Sequence, residues 1–319
     1  MGQHIAQIGT GRVGRPTAYT IMCAGLAEKL TVCDIKANLA AAFAEELKHA
    51  AASLRLDVEV EGCEDSKLIS NADIILISAG VPRIPGVAMS RRDLAAQNAK
   101  TVKEISEGTV ERNPRAKYVV ITNPVDAMAM VCKRYSDARF VIGTGTSLES
   151  LRLRSKLARE LNTSVSKVQG FVGGEHGEGA VTLWSTVRVN GLPAEEYAKS
   201  TYKALNKGEI DHYIKSISKF IVDTIGGTEY GPAAAFRDIV RAIVEDSGEV
   251  LSVDSPIQLP SLPEPTFVSV PVPLGASIGS PLYNTLPEDE RRQVEDSAKA
   301  IYQTYQTAVS SIEEDDWPP

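Results

Sequence analysis

Cysteine is scarce in this chain, four in 319 residues. Cys23, Cys33, Cys63 and Cys132 lie far apart with no CxxC pair, so the sequence offers neither a thiolate zinc site nor a disulfide framework, and the four read as small core residues. No clustered set of metal ligands occurs elsewhere, and no metal is expected. Long apolar runs are missing too: none approaches the roughly 18 residues that cross a bilayer as a helix, which excludes a helical membrane protein. Basic residues are in deficit, 34 Lys and Arg against 41 Asp and Glu, for a net charge of −7 and a pI near 5.3. That balance argues against a nucleic-acid surface, which needs a basic field. A small anionic substrate stays open, because local arginines bind carboxylates whatever the net charge. The first residues, Met1-Gly2-Gln3-His4-Ile5, enter a strand-like run without the basic and apolar regions of a signal peptide, and a cytoplasmic location is expected. Internal repeats are absent.

What is present is the composition of a globular protein, 43% hydrophobic and 24% charged, at a length that suits two domains. The first half alternates short β-branched runs with helical patterns, as a parallel sheet with crossover helices requires. Strands are predicted over 5–8, 30–33, 58–60, 74–77, 118–122 and 140–142, and helices over 15–24, 38–53, 92–111 and 124–135. This is a doubly wound α/β domain, residues 1–146. From Ser147 the pattern changes to a long helix through Leu161, β-rich runs over 167–174 and 181–190, and two more long helices, a second domain of α+β character over 147–319. The proline-rich stretch 259–265 reads as a loop, 267–273 as an edge strand because of its prolines, 287–311 as a final helix and the acidic tail as a solvated end.

Gly9-Thr10-Gly11-Arg12-Val13-Gly14 fits G-x-G-x-x-G directly after a strand and directly before a helix. The first glycine allows the tight turn, the second lets the backbone approach a pyrophosphate, and the third permits close helix–strand packing at a helix N-terminus. Asp34, twenty residues after Gly14 at the end of the second strand, suits the ribose hydroxyls of the adenosine and repels a 2′-phosphate. The pattern is that of a Rossmann domain with NAD favoured over NADP, Lys36 nearby softening the preference.

Gly173-Gly174-Glu175-His176-Gly177 places one of only four histidines in a glycine-flanked turn beyond a β-rich run. A histidine there suits proton transfer near neutral pH, or is a surface or satisfied core residue. In a doubly wound sheet the ligand sits beyond the carboxyl ends of the strands. Three segments follow strands in that way: Ser78-Ala79-Gly80-Val81-Pro82-Arg83, with Arg91 and Arg92 beyond it, Thr122-Asn123-Pro124-Val125-Asp126, and Gly143 through Arg152.

With GTGRVG, SAGVPR, ITNPVD, the LES-LR segment and GGEHG in this order over nearly the whole length, the chain resembles the malate/lactate dehydrogenase family, and within it the lactate-dehydrogenase-like malate dehydrogenases. The resemblance implies hydride transfer between NAD and (S)-malate, giving oxaloacetate, without a metal. It implies that His176 accepts and returns the hydroxyl proton. Glu149 stands where the family has an aspartate that partners the histidine, with the charge kept and the arm longer. Arg152 matches the arginine that holds the C1 carboxylate, and Arg154 a nearby arginine of less direct function. Arg83 matches the position that reads the rest of the substrate, pairing with malate's second carboxylate where lactate enzymes commonly carry glutamine. Arg91 matches the mobile-loop arginine that polarises the carbonyl, with Arg92 as an alternative, because the loop is longer here, as if Val87-Ala88 were inserted. Asn123 matches a residue that orients substrate and contacts the nicotinamide end, Ile121 and Thr122 line the cofactor path, and Asn98 matches another cofactor contact. Lactate or another 2-hydroxy acid such as sulfolactate is the runner-up substrate, and a non-catalytic NAD-binding homologue the further alternative. An NAD-dependent glycosidase is disfavoured, since no cysteine lies beyond Cys132. Family members assemble as homodimers or homotetramers, and the same is expected here.

Overall fold

The computed structural model describes residues 3–81 and 91–315. Strands β1 (His4–Ile8), β2 (Lys29–Cys33), β3 (Glu59–Cys63), β4 (Ile74–Ile77), β5 (Lys117–Val120) and β6 (Phe140–Gly143) run parallel in the order β3-β2-β1-β4-β5-β6. Between them stand α1 (Gly14–Cys23), α2 (Ala37–Leu54), α3 (Arg91–Val110) and α4 (Val125–Ser136). The strands are short apolar runs because both faces are covered. In Ile74-Ile75-Leu76-Ile77 all four side chains are fully buried. Ile75 and Ile77 join the cluster beneath α3 and α4, while Ile74 and Leu76 join the opposite one beneath α1 and α2. Each such side chain is worth roughly 1.5–3 kcal/mol of burial. The strand order reverses between β1 and β4, which opens a crevice at their carboxyl ends.

The second half begins with α5 (Ser147–Glu160) and the hairpin β7 (Val168–Gly174) and β8 (Ala180–Val189). There follow β9 (Leu192–Pro193), α6 (Ala194–Ser200), α7 (Lys207–Ile225), α8 (Tyr230–Val244), β10 (Glu249–Ile257), β11 (Thr266–Leu274) and α9 (Glu288–Asp315). The sheet continues from β6 as β10-β11-β7-β8-β9. Asp254 of β10 stands opposite Gly143 of β6, and Ser269 of β11 opposite Gly174 of β7. These two narrow joints bring α5 and the β7–β8 turn beside the segments that follow β5 and β6. The fold is a parallel-sheet Rossmann domain followed by an α/β domain, as the element pattern implied.

Some expectations need correction. The run expected as an edge strand, β11, lies inside the sheet, paired with β10 along its length and with β7 at Ser269. Its prolines fit because the Pro273 carbonyl accepts from Gly279 N–H at 2.8 Å, on the side away from β10. The missing proline donors face that side, beyond the β7 pairing, and break no ladder bond. Strand β5 stops at Val120 rather than Thr122, so Ile121 and Thr122 belong to the turn. Of the cysteines, Cys33 and Cys132 are buried but Cys23 is exposed at the end of α1. Among the described residues, no helix is long and apolar enough to cross a membrane.

Candidate active site

The loop after β1 shows why its glycines are glycines. Gly9 has φ of +93°, and a Cβ there would lie 2.5 Å from Ala79 N, while a Cβ on Gly14 would lie 1.9 Å from Gly9 O. Gly11 has open space where a Cβ would point. Two glycines thus bring the turn hard against β4 and α1, and the third leaves its backbone open to a ligand. The helix that starts at Gly14 has no acidic residue in its first turn, so its amide donors and positive end suit a pyrophosphate. Thr10 donates to Asp34 Oδ2 from its amide (2.9 Å) and its hydroxyl (3.0 Å), and Lys36 N–H donates to Oδ1 at 3.1 Å. Asp34 therefore ties the glycine loop to the end of β2. Arg12 reaches across to Glu229 (2.7 Å) and the Ile225 carbonyl (3.3 Å), linking the loop to the α7–α8 turn. The residues present fit a dinucleotide.

The β4 and β5 turns are joined by Asn98. This α3 side chain is 1% exposed, a departure from the usual exposed helix asparagine. Its Oδ1 accepts from Val81 N–H at 2.7 Å, and its Nδ2 donates to the carbonyls of Asn123 (2.7 Å) and Val81 (3.3 Å). Thr122 donates its hydroxyl to Ala79 O at 2.7 Å and Ile121 is buried, so both hold the turn, while Asn123 is exposed at its tip. Arg83 lies outside the described residues, as do the side chains of Arg91 and Arg92.

His176 sits in the β7–β8 turn, held by three elements. Its backbone N–H donates to Asp126 Oδ1 on α4 at 3.1 Å, and its Nδ1 lies 3.2 Å from Gly145 O and 3.2 Å from the Glu149 carboxylate in the first turn of α5. The ring's Nε2 has no hydrogen-bond partner among the described residues, and the side chain is 28% exposed. One nitrogen is pinned and the other is left unpartnered. Glu149, 1% exposed, also accepts from Arg152 Nη1 at 3.3 Å. The longer glutamate arm spans both partners. Arg154 instead donates Nε–H to Ser150 O at 3.3 Å.

The electrostatics follow from burial and pairing. Burial alone would depress the His176 pKa. The Glu149 carboxylate, helped by Asp126, outweighs burial and the opposing Arg152 charge and raises it to about 9. Glu149 itself is pushed up by burial, but His176 and Arg152 reverse this and hold it below the usual range. Behind this group lie two acids without an assigned role in the sequence reading. Asp126 and Asp254 are 3% and 0% exposed, and burial lifts both above the ordinary carboxylate range. Asp126 lay in view within the NPVD segment. The signal for Asp254 is a charge inside the β-rich run Val250-Leu251-Ser252-Val253-Asp254-Ser255-Pro256-Ile257, a place where a carboxylate is costly unless it is paired.

Comparison with known proteins gives this geometry a family. The NAD binding domain of lactate/malate dehydrogenase matches residues 3–140, and the α/β C-terminal domain of the same family matches 146–311. A malate dehydrogenase of Sulfurisphaera tokodaii is 41% identical over 309 residues, 97% of each chain. An L-lactate dehydrogenase of Thermoanaerobacter pseudethanolicus is 33% identical over 258 residues, 79% of this chain and 82% of its own. Among solved structures, the malate dehydrogenase of Cryptosporidium parvum superposes with a TM-score of 0.90 at 29% identity, covering 97% of this chain and 100% of that one. The chain belongs to the lactate/malate dehydrogenase family of NAD-dependent oxidoreductases.

Proposed function

We propose that this chain is a malate dehydrogenase that interconverts (S)-malate and oxaloacetate, with His176 as the proton acceptor and donor. The observation that carries the reading is the His176 ring, fixed at Nδ1 by Glu149 and open at Nε2. A carbonyl forms at C2 only if the hydroxyl proton leaves together with the hydride, and Nε2 is the base poised for it. NAD, when bound, supplies the nicotinamide that takes the hydride. Glu149 fixes the ring orientation and balances the imidazolium after proton transfer. Arg152, anchored through one nitrogen to Glu149, presents the rest of its fork to the C1 carboxylate. Arg83 pairs with the second carboxylate, and Arg91, or Arg92 beside it, stabilises charge on the C2 oxygen.

The malate assignment rests on Arg83 in the GVPR segment and on the likeness to malate dehydrogenases at 41% and 37% identity. A second reading, L-lactate dehydrogenase, draws on relatives of that name at 33% identity and on the longer loop. Steady-state oxidation of NADH with oxaloacetate and with pyruvate separates the two. Preference for oxaloacetate is expected, and equal or better use of pyruvate overturns the malate reading. The working unit is a homodimer or homotetramer, a proposal supported by exposed apolar side chains such as Ile35, Phe220 and Tyr230 and tested by light scattering.

A further inference from the structure

The buried acid Asp254 has no place in the mechanism above, yet the fold is shaped around it. A Cβ on Gly143 would lie 2.3 Å from Asp254 Oδ2, and a Cβ on Gly145 would lie 2.5 Å from Oδ1. The two glycines of Gly143-Thr144-Gly145 thus leave room for this carboxyl, and Gly145 is also the residue whose carbonyl faces His176 Nδ1. On the other side, Thr146 N–H donates to Ser269 Oγ at 2.9 Å, and the Ser269 hydroxyl donates to Asp254 Oδ1 at 2.5 Å. The hydroxyl's only proton is therefore directed at Asp254. The second oxygen, Oδ2, is buried with no donor among the described residues.

The carboxyl next to Asp254 is Asp126, within hydrogen-bonding reach of it, whose own Oδ1 takes the His176 amide. Two buried carboxyl groups that interact directly do not readily ionise together. The surroundings decide which one keeps a proton. Asp126, on α4, faces the His176 ring and backbone. Asp254, on β10, interacts with Asp126, with Glu149 of α5 and with the Ser269 hydroxyl of β11, and among the described residues none of its strongest electrostatic neighbours is a cation. We propose that Asp254 is a positioning residue that carries a proton and shares it with Asp126, keeping the Asp126 carboxylate charged under His176 while the pair as a whole bears one negative charge. With Glu149 and Asp126 negative and Arg152 and the imidazolium positive, the cluster is neutral when His176 is protonated. A second charge at Asp254 would break that balance. The inference rests on the reading of His176 as the proton-transfer residue, but its first test does not.

Infrared spectra of the whole protein at neutral pH provide that test. The C=O stretch of a protonated carboxylic acid is expected in the wild type and is lost in Asp254→Asn, whose amide supplies a donor to Asp126 without an exchangeable acid. An unchanged band in Asp254→Asn overturns the proposal. The second readout is the high-pH limb of kcat/KM for NADH oxidation with oxaloacetate. In Asp254→Ala, Asp126 loses the donor that orients its carboxylate under His176 and supports the imidazolium less, so the limb moves to lower pH by roughly one unit, while Asp254→Asn keeps it near the wild-type position. A limb that stays put in Asp254→Ala, or that moves equally in both variants, overturns the shared proton. Should Asp254→Ala fail to fold, the band difference in Asp254→Asn decides alone. Loss of that band in a protein with no turnover of oxaloacetate supports the pair and overturns the substrate reading instead.

Discussion

Replacing Glu149 by glutamine removes the charge that sets His176, and the structure fixes the size of the effect. The carboxylate lies 3.2 Å from Nδ1, and with Asp126 it lifts the imidazole from its ordinary 6.5 to about 9 against the cost of burial. That difference is worth roughly 3 kcal/mol. Without Glu149, burial and the now unpaired Arg152 disfavour the imidazolium against Asp126 alone, so the pKa falls to about 6.5 or lower. At pH 8 the protonated fraction drops from nearly all to a few per cent, about 30-fold. Loss of charge stabilisation during proton transfer adds to this, for a total on the order of 10²- to 10³-fold in kcat/KM for the reductive direction. The assay is the pH profile of NADH oxidation with oxaloacetate. The wild type is expected to hold its rate up to about pH 9, where His176 deprotonates, and Glu149→Gln to lose it two or more units lower. The same pKa links to stability. A group whose folded pKa is raised contributes fully below its unfolded value and loses that contribution as pH climbs through the folded one. The wild-type Tm therefore falls between pH 6.5 and about 9 more steeply than that of Glu149→Gln. A Glu149→Gln profile with the same limb as the wild type refutes the reasoning.

Two further substitutions test the scaffold. Gly14→Ala drives a Cβ to 1.9 Å from Gly9 O, so the turn must move: a loss of about 3 kcal/mol or more in denaturant unfolding is expected, with NADH affinity by fluorescence titration weakened at least tenfold. Asn98→Ala strips donors and an acceptor from the part-buried backbone of Val81 and Asn123, and should cost about 1–3 kcal/mol in urea unfolding while raising KM for NADH; no measurable stability change would contradict the clamping role.

Much of the fold was legible because the parallel half writes itself in short apolar runs. Ile74-Ile75-Leu76-Ile77, bounded by a turn, has no alternative to a doubly covered strand. The second half was harder for identifiable reasons. In β10 the apolar alternation is interrupted by Asp254 and Pro256, so the run carries no clean strand signal, although Asp254 is fully buried. In β11 the prolines suggest an edge, and only the tertiary arrangement reveals that their donorless sides face away from β10. At the site, Gly9, Gly14, Asp34 and His176 stand out by spacing and context, and Glu149 and Arg152 through the resemblance to the family. Asn98 does not, since nothing local tells a helix asparagine that it will be swallowed by two converging turns. The pairing of Asp126 with Asp254 spans elements far apart in sequence and is invisible until β10 docks on β6.

The most direct test of the central claim follows NADH absorbance with oxaloacetate and with pyruvate, in the wild type and in Arg83→Gln. A strong preference for oxaloacetate that collapses in the variant is the expected result, because an arginine left without a second carboxylate penalises a methyl substituent heavily. A wild type that uses pyruvate as well as or better than oxaloacetate, or a preference untouched by Arg83→Gln, contradicts the assignment of malate and of Arg83 as its selector.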